Sequence, residues 1–116
     1  QDQLALAEAQ IERRSDDSAA AMAVLKPLVE RNPLQGEALL LIAELELEAE
    51  HYEEAVFYLQ RAQSLPEHKV DALVALGRLE VARDDFAAAL KHLRAAQEIE
   101  ARTGVARYIR SIEQAL

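Results

Sequence analysis

The chain has 116 residues, 51% of them hydrophobic, with only three glycines and three prolines; that is enough apolar material for one continuous core and too little turn chemistry for a strand-rich fold. Its formal net charge of −8 argues against binding to nucleic-acid backbones, which requires clustered Lys and Arg. With no cysteine, a disulfide framework and thiolate metal sites are excluded and cytoplasm and periplasm both stay open, while no apolar run approaches the ~18 residues of a membrane span and no signal-peptide pattern opens the chain.

The pattern predicts helices near residues 2–14, 18–31, 36–49, 53–64, 70–82, 86–101 and 105–115. The first carries Leu6-Ala7 and ends in a turn around Ser15-Asp16-Asp17, where Asp17 is placed to accept backbone N–H bonds at the start of the second. Pro27 lies inside that second helix and is expected to remove the bond to the Ala23 carbonyl, bending it. Asn32-Pro33 ends it, because the residue before a proline is pushed out of the α region. The helices at 36–49 and 53–64 carry Ile42-Ala43 and then Ala55 and Leu59, are separated by Glu50-His51-Tyr52, and stop at Leu65-Pro66. The pair at 70–82 and 86–101 carries Leu76-Gly77, then Asp85 as a cap, Ala89 and Leu93. Gly104 is expected as a left-handed C-cap, and the last helix has Val105, Tyr108, Ile109 and Ile112 on one stripe.

These elements repeat. Ala21, Ala55 and Ala89 are 34 residues apart, as are Leu25, Leu59 and Leu93, and each Ala-Leu pair shares one helix face. Ile42-Ala43 and Leu76-Gly77 keep the same step, whereas Leu6-Ala7 lies 36 before Ile42-Ala43, which implies a longer turn inside the first hairpin. Repeat two reads Ile42-Ala43, Tyr52, Ala55, Leu59, Ala62 and Pro66; repeat three reads Leu76-Gly77, Phe86, Ala89, Leu93 and Ala96. This series resembles the tetratricopeptide repeat family. Repeat one is a weaker copy, with Ser18 at the aromatic position and Leu28 at the second alanine, and Leu39 and Leu73 stand where the family has an aromatic. The resemblance implies an all-α, right-handed α-solenoid in a single domain over 1–116: repeats of about 2–35, 36–69 and 70–103, then a capping helix of about 105–115, which such arrays need to cover their last apolar face. The start at Gln1 without methionine reads as a mature form or a piece of a longer protein.

No catalytic constellation stands out. His51, His68 and His92 do not converge as a metal site would require, glycine-rich phosphate loops are missing, and the many paired carboxylates read as solvated helix surface. An enzyme is not expected, and neither is a cofactor. The resemblance instead implies a concave groove lined by the first helix of each hairpin. Carried onto this sequence, its partner-binding residues are Glu37, Leu40, Glu44, Leu47 and Glu48, then Asp71, Val74, Arg78 and Val81, followed by Ala82. Residues 36–69 hold eight acids and two bases, so an apolar floor with an acidic rim suits a basic, amphipathic helix or an extended peptide. The carboxylate clamp of chaperone-binding members is absent, since its positions read Leu6, Gln10, Leu41, Asp71 and Ala75. The expected function is a scaffold that binds a protein or peptide, with self-association open, no nucleic acid and no direct membrane insertion. The alternative is a structural spacer of a longer solenoid in a bacterial envelope, secretion or exopolysaccharide export assembly; the bacterial setting rests on analogy.

Overall fold

In the computed structural model, which describes residues 2–116, the described chain is built of helices joined by short turns. The helices are α1 (Asp2–Arg14), α2 (Ser18–Arg31), α3 (Gly36–Glu48), α4 (Tyr52–Gln63), α5 (Lys69–Ala82), α6 (Phe86–Ile99) and α7 (Thr103–Ala115). A short 3-10 turn at Pro66–His68, absent from the sequence reading, leads into α5. Two compact units divide the chain, one up to Ala62 and one from Gln63 to Leu116.

In the first unit α1 packs on α2 and α2 on α3. The core is made of Ala9, Ala21, Leu25, Leu28, Leu39, Ile42, Ala43, Ala55 and Leu59, all essentially without solvent contact. Each fully buried leucine or isoleucine contributes roughly 1.5–3 kcal/mol, and the alanines let neighbouring backbones approach closely enough for those side chains to meet. Asp17 caps α2 by accepting from the Ala20 N–H at 3.0 Å. Asn32 donates to Asp2 at 2.9 Å and accepts from the Leu34 N–H, which ties the end of α2 to the start of α1. Pro27 does not end α2, which runs on to Arg31.

The burial pattern corrects the register of the first hairpin. Ala7 is exposed and Ala9 is fully buried, so the small-residue slot is filled by Ala9, Ala43 and Gly77, in steps of 34. The turn after α1 is therefore no longer than the others. Its left-handed residue, Asp16 (φ 61°), is matched by Glu50 (φ 64°) and Asp84 (φ 61°), again 34 apart. In each case the N–H of the very next residue reaches back across the helix end: Asp17 to Glu12, His51 to Glu46 and Asp85 to Glu80, at 2.8–2.9 Å. The preceding N–H groups of Asp16, Glu50 and Asp84 bond Arg13, Leu47 and Val81 at 3.0 Å. This is the paired bonding of a Schellman stop.

In the second unit α5 packs on α6 and α6 on α7. Ala89, Leu90, Leu93, Val105 and Ile112 form its core, with Val74, Val81, Phe86, Tyr108 and Ile109 against it. Asp85 caps α6 through the Ala88 N–H at 3.1 Å. Gly104 does not stop α6 as expected. That helix ends on Glu100, an extended residue whose N–H bonds the Ala96 carbonyl, and Gly104 lies inside the first turn of α7. None of the described glycines has a positive φ.

Candidate functional site

On α3 the burial splits by face. Ala38, Leu39, Leu41, Ile42, Ala43 and Leu45 are buried, Leu40, Glu44 and Leu47 are half-buried, and Glu37 and Glu48 are exposed. Leu40, Glu44 and Leu47 fall at helical spacing, so the expected lining of this helix forms one stripe with Glu37 and Glu48 beside it. Its acidity is partly matched within the unit: one Arg13 guanidinium nitrogen lies 3.5 Å from Glu44 and 3.1 Å from Glu48. The triad nets −1, and with Glu37 the stripe keeps an acidic excess. Arg13 escaped the sequence reading because that first hairpin was placed in the wrong register; with the 34-residue step it shares a slot with Leu47 and Val81.

On α5, Val74 and Val81 are half-buried against the core of the second unit, and Asp71, Arg78 and Ala82 are exposed. Asp71 accepts from Arg102 at 2.9 Å, and Arg102 also donates to Glu100 at 2.8 Å; these carboxylates hold its pKa above the ordinary arginine value. Between α5 and α7 lies an open hollow of about 490 Å3 lined by Val74, Arg78, Arg102, Gly104, Val105 and Tyr108. Burial raises the pKa of the Tyr108 hydroxyl, with nearby Arg78 acting the other way. Thus α7 does more than cover the core: it supplies a wall. The signal was present, because the step that carries Leu40 to Val74 lands on Tyr108 and the step from Asp71 lands on Val105.

A smaller hollow of about 280 Å3 lies between α2 and α4, lined by Lys26, Val29, Glu30, Pro33, Tyr58 and Arg61. Arg61 also stacks over Phe57 at 5.5 Å. Glu53 and Glu54, at the start of α4, are exposed. Among the described residues no group of three or more His, Asp or Glu is arranged to hold a metal ion. His51 is engaged structurally: its Nδ1 lies 3.0 Å from Oε1 of Glu46, the one buried charged side chain of the described core. That bond, ahead of the desolvation that opposes it, raises the His51 pKa above 6.5. No described helix is long and apolar enough to cross a membrane.

Solved structures share this arrangement. The N-terminal domain of stress-induced protein-1 from C. elegans superposes with a TM-score of 0.80 at 14% identity, over 97% of this chain and 96% of that one. An O-GlcNAc transferase from Thermobaculum terrenum superposes with a TM-score of 0.84 at 23% identity, over 96% of this chain and 22% of its own, so this chain spans about a fifth of that enzyme. No family model and no curated protein matches the sequence. The fold is that of tetratricopeptide repeat proteins, in the all-α solenoid class.

Proposed function

We propose that this protein is a non-catalytic binding module whose α3 face receives an amphipathic helix or extended peptide with basic side chains. One observation carries the reading: Leu40 and Leu47 remain half-exposed among Glu37, Glu44 and Glu48 on a helix whose other positions are buried. A helix that has already filled its core and still presents apolar side chains between charges is built like the receiving side of a helix-in-groove contact. Asp71, Val74, Arg78 and Val81 form the corresponding face of α5 in the second unit. The test is calorimetric titration with a synthetic amphipathic helix of Leu and Lys. Binding is expected in the wild type and is expected to weaken about tenfold or more in Leu40→Ser/Leu47→Ser, since two apolar contacts are lost; equal affinity for both proteins refutes the α3 site.

A second reading, a spacer in a longer solenoid, is favoured by Leu4 and Ile11. They lie seven residues apart on α1 and are 74% and 61% exposed, the pattern of a helix face made for a neighbouring helix. Under that reading Leu4→Ser/Ile11→Ser abolishes association with the neighbour, and the α3 variants leave it intact.

A further inference from the structure

We infer that the turn between α3 and α4 is a proton-operated latch, in which protonated His51 holds the buried Glu46 carboxylate and keeps the turn closed, and loss of the proton loosens it. The latch belongs to the unliganded chain and is independent of whether the α3 face binds a helix.

The hairpins part company at the residue that precedes their second helix. Glu12, Glu46 and Glu80 stand 34 residues apart, and so do Asp17, His51 and Asp85. The backbone bonding is shared: each member of the second series donates its N–H to the carbonyl of the glutamate before it and accepts, through its own carbonyl, from the N–H of Ala21, Ala55 or Ala89. The side chains differ. Asp17 and Asp85 accept from the Ala20 and Ala88 N–H groups and so cap α2 and α6. At His51 the Nδ1 atom lies 3.0 Å from Oε1 of Glu46, so it is spent on the carboxylate rather than on the start of α4. Glu46 is also the deepest of the three glutamates: its side chain is 12% exposed, whereas Glu12 and Glu80 are half-buried.

A carboxylate so far from water needs both a hydrogen bond and a compensating charge. Protonated His51 supplies both. A neutral ring keeps at most the hydrogen bond, and with its proton on Nε2 it turns a lone pair towards the carboxylate. Glu46 on α3, through that bond, is the largest influence on the ring; Glu54 on α4 also favours the protonated form, while desolvation and Lys26 on α2 oppose it, and the balance raises the His51 pKa. The latch is therefore fully shut below the ordinary imidazole value and released as pH climbs through the folded one. Once it is released, opening the turn is the shortest route by which Glu46 regains water, because the His51 side chain is 58% exposed. Glu50, between the two, is held in the left-handed region at φ 64°, a conformation that glutamate resists and that opening relieves.

The experiment follows hydrogen exchange of backbone amides in isotopically labelled full chain by nuclear magnetic resonance at about pH 6 and about pH 8.5, with each rate referred to the intrinsic rate at that pH. The amides of His51 and Ala55 are compared with their counterparts Asp17 and Ala21, and Asp85 and Ala89, which make the same backbone bonds. From the lower to the higher pH, protection of His51 and Ala55 is expected to fall about threefold or more relative to these counterparts. Glu46→Gln removes the charge that is held, and His51→Asp installs the residue of the other hairpins; in each, the second turn is expected to change with pH no more than its counterparts do. A wild-type turn that tracks its counterparts, protection that rises on deprotonation, or a pH response that survives either substitution overturns the latch.

Discussion

Gly77 shows how little slack the second unit has at a single position. A methyl group there would lie 2.6 Å from Leu93, which is itself without solvent contact. Gly77→Ala is therefore expected to cost about 1–3 kcal/mol by overpacking, although alanine is the better helix former; an unchanged denaturant midpoint would show that Leu93 can repack. His51 is the residue whose charge matters near neutral pH. Its pKa is raised in the folded protein, first by the bond to Glu46 and further by the charges of Glu46 and Glu54, against desolvation and Lys26. A raised folded-state pKa contributes stability in full below the unfolded value of about 6.5 and loses it as pH climbs through the folded value. Wild type is thus expected to exceed His51→Ala in melting temperature by more at about pH 6 than at about pH 8.5. Direct titration of the His51 ring by nuclear magnetic resonance is expected to give a value above 6.5, falling when Glu46 becomes Gln.

At the scale of elements, the helix ends carry the repeat as clearly as the core does. Asp16, Glu50 and Asp84 take the left-handed conformation that closes each hairpin's first helix. Aspartate tolerates that region better than glutamate, so Glu50 holds the least suitable side chain of the three. Glu50→Gly is expected to raise stability by roughly 0.5–1 kcal/mol, the relief of left-handed strain less glycine's greater chain entropy; thermal melting of the single variant checks it. The sequence made most of this architecture legible. Helix positions followed from Asp17, Asp85, Pro33 and Pro66, because caps and prolines act on the chain locally. It misled where two local solutions look alike. Leu6-Ala7 copies the Leu-small pair of the later repeats, but burial belongs to Ala9, and only packing on α2 separates them. Gly104 looked like a stop because glycine is the usual one; the stop is an extended Glu100 braced by the Arg102 N–H bond to Gln97. Of the candidate site, the apolar and acidic positions on α3 could be listed from the repeat, whereas the pairing of Arg13 with two of them depends on how α1 lies in its unit. The hollow on α7 was legible in the 34-residue step and obscured by treating the last helix as a cover alone.

Over the whole molecule the charge is distributed unevenly: residues 36–69 carry eight acids and two bases, and residues 102–116 three bases and one acid. Any charged partner therefore meets a protein with an acidic middle and a basic end, and its salt response depends on which one it touches. Arg13 allows that dependence to be tested in both directions at one place. Its pairs with Glu44 and Glu48 are at least a third exposed on both sides, so each is worth roughly 0.2–1 kcal/mol to folding. The Arg13 Nε is buried without a hydrogen-bond partner, a cost that its removal relieves. Arg13→Gln should therefore fold nearly as well as the wild type while removing one cation from beside Glu44 and Glu48 on the α3 stripe. A basic helix titrated into this variant is expected to bind about 2–5-fold more tightly than to wild type, and the gain should shrink as salt shortens the Debye length from ~10 Å at 0.1 M to ~3 Å at 1 M. Glu44→Lys/Glu48→Lys is expected to do the opposite, weakening binding most at low salt. Reversal of Glu53 and Glu54 controls for net charge: it changes the total as much without touching the stripe. If that control weakens binding as strongly as the Glu44/Glu48 reversal, the partner responds to the protein's overall field and contacts no particular face of α3.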